Sequence, residues 1–144
     1  MDIRIKKVDE HAKLPVRAHE TDAGMDLFYA GPSHVIRPNH SAVLSTGLKI
    51  EVPPGYMLEV KNKGGVAAKR GLVVGSCVVD RGYDGTVFVN LHNIGHVPQE
   101  IMRGDKIAQA VFVKVEYDIN IIVSESIYDE ETDRGEGALG SSGS

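Results

Sequence analysis

Three stretches of the 144-residue chain carry side chains suited to chemistry on a phosphorylated substrate. The run Val78-Val-Asp-Arg-Gly-Tyr-Asp-Gly85 places an aspartate after two β-branched residues and before a turn, at the end of an expected buried strand. A carboxylate held there faces a pocket mouth, where Asp80 can orient or deprotonate a water. It can equally cap the turn through its side-chain oxygen, with Tyr83 a turn-packing aromatic. The segment Lys61-Asn-Lys-Gly-Gly-Val-Ala-Ala-Lys-Arg-Gly71 combines four cations with paired glycines. It reads either as a solvated turn leading into a short helix or as a helix start whose free N–H groups face an anion. The tail, Arg134-Gly-Glu-Gly-Ala-Leu-Gly-Ser-Ser-Gly-Ser144, offers backbone N–H groups that glycine lets approach an anion, the hydroxyls of Ser141 and Ser142, and the planar cation of Arg134. An arm built this way can wrap a phosphate chain; as a terminus it can also be no more than a frayed, solubilising tail.

Other signatures fail on context. Gly135, Gly137 and Gly140 match a dinucleotide-binding fingerprint in form, but only four residues follow, so no helix can open there. The same stretch lacks the lysine of a P-loop. His92 and His96 are separated by Gly95 in a strand-and-turn region, which argues against a helical metal pair, and His11, His19, His34 and His40 show no ligand spacing. The lone Cys77 can form neither an intrachain disulfide nor a zinc cluster, so an intracellular protein is expected.

The elements that must position these residues read as strands. Period-two alternation marks Asp2–Lys6, Ser41–Ser45, Leu48–Val52 and Tyr56–Val60, and Val/Ile-rich runs mark Val87–Leu91 and Ile107–Val115. Sixteen glycines and six prolines punctuate them, and a short helix is expected only around Ala67–Arg70. The fold class is therefore all-β, a sandwich or barrel. Hydrophobic residues at 42% and charged ones at 25% suit a soluble globular domain, and 144 residues suffice for one core. The net charge of −4 gives no general attraction to nucleic acid or acidic lipid, so any nucleotide is bound locally. Neither a signal peptide nor a membrane span is expected; the longest uncharged stretch, Thr86–Gln99, is broken by Asn, His, Gly and Pro. Residues 1–124 are expected to form the β-domain, and 125–144 an acidic linker and a flexible glycine-rich arm.

Five segments in order, Ala23-Gly-Met-Asp-Leu27, Asn62–Gly71, Cys77–Gly85, Arg103-Gly-Asp-Lys-Ile-Ala-Gln109 and Arg134–Gly143, closely resemble the motifs of the trimeric deoxyuridine triphosphatase (dUTPase) family. The resemblance spans essentially the whole chain. It implies a jelly-roll-like (β-clip) subunit, a homotrimer with active sites shared between subunits, an arm that closes over each, and magnesium-dependent hydrolysis of dUTP to dUMP and pyrophosphate. It further implies that Asp80 activates the attacking water and that Tyr83 packs under deoxyribose. Main-chain groups near Val74, Gly75 and Val79 would read uracil, and Asp26 would lie near the metal's water shell. Gln109, Lys63 and Arg134, with Gly64, Gly65, Gly140, Ser141 and Ser142, would hold the triphosphate.

The chain departs from the family pattern at named positions. Lys63-Gly64-Gly65 stands where Arg-Ser-Gly is usual, which removes a phosphate-binding hydroxyl and a bidentate cation. Leu139 stands where an aromatic stacks on uracil, so base closure relies on apolar contact, and Cys77 replaces a glycine as an expected buried thiol. Two other readings compete. One is a dUTP-gated interaction protein with weak turnover; the other is a relative of dCTP deaminase, for which Asn90 stands where a proton-shuttling glutamate is needed.

Overall fold

The computed structural model describes residues 1–140 together with Ser142 and Gly143. In chain order the elements are β1 (Ile5–Lys7), β2 (Met25–Phe28), β3 (His34–Ile36), β4 (Ser41–Ser45), β5 (Leu48–Ile50), β6 (Tyr56–Lys61), α1 (Gly64–Arg70), β7 (Leu72–Val74), β8 (Val78–Val79), β9 (Phe88–Asn93), β10 (Gln99–Ile101) and β11 (Lys106–Lys114). They form a four-stranded sheet ordered β2-β11-β6-β8, a three-stranded sheet β4-β9-β7, and the pairs β1-β5 and β10-β3, every pairing antiparallel. The sheets enclose one core, in which Leu27, Leu44, Leu58, Leu72, Leu91, Ile101 and Ile107 are all buried. This is the all-β, jelly-roll-like architecture expected, without a closed barrel.

Two local features set up the site. In β9 the period-two rule sends Val89, Leu91 and Asn93 into the core, which leaves Phe88, Asn90 and His92 on the opposite face. In β11 the register against β2 shifts between Lys106 and Ala108, so Lys106 lies opposite Phe28 while Gln109 lies opposite Asp26. An uninterrupted strand would put residues 106 and 109 on opposite faces; the bulge puts both on the face of Asp26.

The helix begins at Gly64, earlier than Ala67, because the Lys63 carbonyl already accepts the Ala67 N–H at 2.9 Å. It ends at Gly71, whose φ of 65° is the left-handed cap that glycine adopts without penalty, and Lys69 and Arg70 sit favourably in the last turn. The Val78–Val79 strand is not buried as expected. It is a two-residue edge strand paired only to β6, and Val78 is 52% exposed. Cys77 is half-buried rather than buried. The last strand ends at Lys114, after which Tyr117 reaches back to the Tyr56 carbonyl at 3.3 Å.

Candidate active site

The site comprises two clusters joined through main chain. The first is built on β2, β11 and the end of β6. Asp26 is 5% exposed, and its two oxygens are taken by the Lys63 ammonium and, at 3.2 Å, by the Lys106 ammonium. Burial pushes the Asp26 carboxyl pKa upward, but the hydrogen bonds and charges of Lys63 and Lys106 outweigh it, so the group lies below its ordinary value and is a carboxylate. Gln109 donates to the Asn62 carbonyl at 2.8 Å, and the Asn62 side-chain oxygen accepts the Val74 N–H at 2.8 Å. Asn62 thus ties the phosphate-binding candidates to the end of β7.

The second cluster follows directly. Beyond Val74, the Gly75 N–H donates to the Asn90 carbonyl at 2.8 Å, and the Cys77 carbonyl accepts from Val60 at 2.7 Å as the chain enters β8. Next to this connection between β7 and β8 lies a cleft of about 240 Å³, lined by Ser76, Val78, Val79, Asp80, Tyr83, Thr86, Val87 and Phe88. The Asp80 carboxylate is exposed at this cleft, on the turn closed by the Tyr83 N–H to the Asp80 carbonyl at 3.2 Å. The Tyr83 hydroxyl donates to the Thr86 carbonyl at 2.8 Å, which holds the ring against Gly85 as a wall of the cleft. The same turn borders a wider groove of about 580 Å³ in which Arg4 clamps Glu51 and Arg81 donates to the Val52 carbonyl at 2.6 Å.

The structure therefore brings Asp80, Tyr83 and Val79 to one cleft, and Asp26, Lys63 and Gln109 to the adjoining cluster. Lys63, expected to meet phosphate, is engaged by Asp26. Gly64 and Gly65 are exposed at the start of α1, and a Cβ at either would meet open space. The arm is not brought to the cleft by its own chain. Arg134 folds back onto the Gly137 carbonyl at 2.8 Å, Leu139 is fully exposed, and Gly140 and Ser142 lie in a turn. Among the described residues, the hydrogen bonds of 125–143 are all local. Ser141, expected to bind phosphate, lies outside the described residues. Two residues given no role from sequence do matter: Lys106, legible only as part of the fourth motif, and Asn62, legible only as part of the second.

An all-β domain whose glycine-flanked lysine cluster adjoins a cleft bearing an exposed carboxylate belongs to the class of proteins equipped to hold an anionic substrate beside a proton acceptor. Residues 10–143 match the dUTPase family model. The chain is 34% identical over 145 residues to the deoxyuridine 5'-triphosphate nucleotidohydrolase of Clostridium kluyveri, covering 99% of each protein, and 37% identical over 145 residues to that of Clostridium acetobutylicum, covering 99% of this chain and 97% of the relative. Among solved structures, a Staphylococcus bacteriophage 80alpha dUTPase variant with dUpNHpp superposes with a TM-score of 0.90 at 27% identity, over 99% of both chains. A phage phi11 dUTPase variant, described with a structural Mg(II) ion, superposes with a TM-score of 0.82 at 27% identity, over 89% of this chain and all of that one. The chain belongs to the dUTPase family.

Proposed function

We propose that this chain is a dUTP diphosphatase, which hydrolyses dUTP to dUMP and pyrophosphate by attack of water on the α-phosphate. The observation that carries the reading is the exposed Asp80 carboxylate beside Tyr83 at the cleft, with the Asp26–Lys63–Gln109 cluster tied through Asn62 to Val74 at the start of the same connection. The deoxynucleoside occupies the cleft with Tyr83 beneath its sugar and the main chain of Val74, Gly75 and Val79 at its base edge. The triphosphate extends towards Gln109, Gly64, Gly65 and Lys63. Asp80 takes the proton of the attacking water; the P–O bond between the α-phosphorus and the β-phosphate breaks, and pyrophosphate leaves. Lys63 exchanges Asp26 for phosphate, and Lys106 keeps that carboxylate partnered meanwhile.

Asp26 already has both oxygens occupied by ammonium groups, and no group of three His, Cys, Asp or Glu able to hold a metal exists among the described residues. This donor set fits a magnesium ion carried by triphosphate oxygens and water, with Asp26 at most facing its water shell. When bound, magnesium neutralises charge on the phosphates.

The active form is a homotrimer in which the arm of another copy, through Arg134, Leu139, Gly140, Ser141 and Ser142, closes the cleft. In support, the run Ile119-Asn-Ile-Ile-Val123 is apolar at four of its five positions, yet Ile121 is 93% and Val123 97% exposed, so their own chain does not cover them. No described helix is long and apolar enough to cross a membrane. The unpaired Cys77 is in keeping with a reducing, intracellular compartment.

The test is pyrophosphate release with magnesium on dUTP, dCTP, dTTP and UTP, for the native chain and Asp80→Asn. Strongly preferential cleavage of dUTP is expected, with kcat lowered about 10²–10⁴-fold in the variant and affinity for a non-hydrolysable analogue retained. Equal cleavage of dCTP, or an unimpaired variant, refutes the assignment.

A further inference from the structure

We infer that Asn90, backed by His92, is a positioning residue that aims the main chain of Gly75–Cys77 at the pyrimidine. The inference rests on the reading that this turn meets the base. The β7–β9 ladder ends at the pair Val74–Leu91, and beyond it the chain leaves the sheet. Asn90 continues the hold on both sides of that exit. Its carbonyl accepts the Gly75 N–H at 2.8 Å, and its side-chain Oδ1 accepts the Ser76 N–H at 3.1 Å. The amide is itself anchored, since Nδ2 donates to the Ala42 carbonyl in β4 at 3.2 Å and His92 Nε2 stands 3.1 Å from Oδ1. A side chain at Gly75 would overlap both Asn90 Oδ1 and His92 Nε2, so the turn is seated directly on this pair.

Ser76 is at once the residue Asn90 holds and a wall of the cleft, whereas Asn90 does not line the cleft. The amide has no ionisable proton and its polar atoms are engaged within the fold, which leaves it the role of aiming peptide groups rather than transferring protons. A main-chain reader distinguishes uracil from cytosine by the opposite donor and acceptor pattern at ring positions 3 and 4. Turning the peptide groups therefore weakens dUTP binding and its preference over dCTP together, while Asp80 and the phosphate cluster stay in place.

The experiment measures kcat and KM for dUTP and dCTP, with melting temperature, for the full chain and its Asn90→Ala, Asn90→Asp and His92→Ala variants. Asn90→Ala is expected to raise KM for dUTP about tenfold, to narrow the dUTP preference about tenfold, and to leave kcat within about twofold. Asn90→Asp keeps the acceptor; its KM is expected within about threefold of native even though its carboxylate faces the Ala42 carbonyl and melting falls. His92→Ala, which perturbs no buried residue, is expected to raise KM about threefold and serves as the deciding variant if Asn90→Ala does not fold. A melting loss with unchanged KM and selectivity, Asn90→Asp as impaired in KM as Asn90→Ala, or an unchanged His92→Ala KM overturns the inference alone. A native chain without preference for dUTP overturns the base-reading assignment as well.

Discussion

Replacing Asp26 by Asn tests the charge cluster of the candidate site. The native carboxylate is buried and accepts from two ammonium groups, Lys63 and Lys106. Each charge-assisted hydrogen bond contributes about 1.5–3 kcal/mol, and breaking a fully buried ion pair costs about 3–5 kcal/mol. The lysine side chains are 27% and 53% exposed, so both ammonium groups can turn to water once the charge is gone. The asparagine oxygen can keep one of them, while its NH₂ group can accept from neither. The net loss is therefore expected below the buried-pair range, at about 2 kcal/mol. Urea unfolding at one fixed protein concentration measures it, since an oligomer's stability depends on concentration.

The pH dependence supplies a second reading of the same contact. Asp26 has a folded pKa below its unfolded value, so its contribution is fully present above the ordinary carboxylate value of 3.8 and is lost as pH falls through the depressed folded value. Glu51 and Asp22 are lowered too, chiefly by hydrogen bonds from Arg4 and with His19, and persist in the variant. The difference between native and Asp26→Asn stability should accordingly shrink below about pH 4 and stay flat from pH 5 to 7. A variant as stable as the native chain at pH 7, or a difference that grows on acidification, would refute the argument.

Truncation after Asp133 should leave the melting temperature within about 2 °C, because the arm's hydrogen bonds are local, yet lower kcat/KM about a hundredfold or more by removing the closing clamp. Native kinetics in the truncated chain would remove the arm from the site. Gly64→Ser should fold unchanged, since a Cβ there meets nothing within 4 Å, and should lower KM for dUTP about threefold by adding a hydroxyl donor to phosphate. An unchanged KM would place the triphosphate elsewhere. Tyr83→Phe loses the bond to the Thr86 carbonyl and should cost about 1 kcal/mol of stability, read by urea unfolding, with KM raised more than kcat is lowered.

Much of this was legible residue by residue. Leu48–Ile50 and the stretch from Leu58 to Lys61 alternate apolar with charged residues, so their inward faces follow from a period of two, whereas Ala42, Val43 and Leu44 are all apolar and only the structure turns Val43 outward. Met25–Phe28, His34–Ile36 and Leu72–Val74 span only three or four residues, too few for a period to appear, and they exist because neighbouring strands pair with them. Asp80 was legible as a strand-end carboxylate. Its strand's exposure was not, because two valines read as buried until one sees that β8 pairs on one side only.

What the sequence determined by itself is chemical identity: five ordered motifs, an acid after two β-branched residues, glycines beside cations, and a β-forming pattern, all readable from neighbours along the chain. What only the tertiary structure decided is partnership between residues far apart. Lys63 meets Asp26 across 37 positions, a single bulge turns Lys106 and Gln109 to one face, and Asn90 on β9 holds Ser76, which lies 14 positions earlier. Propensity and periodicity are local averages, whereas register is set jointly by every strand that shares the core, and a one-residue shift reverses which side chains meet.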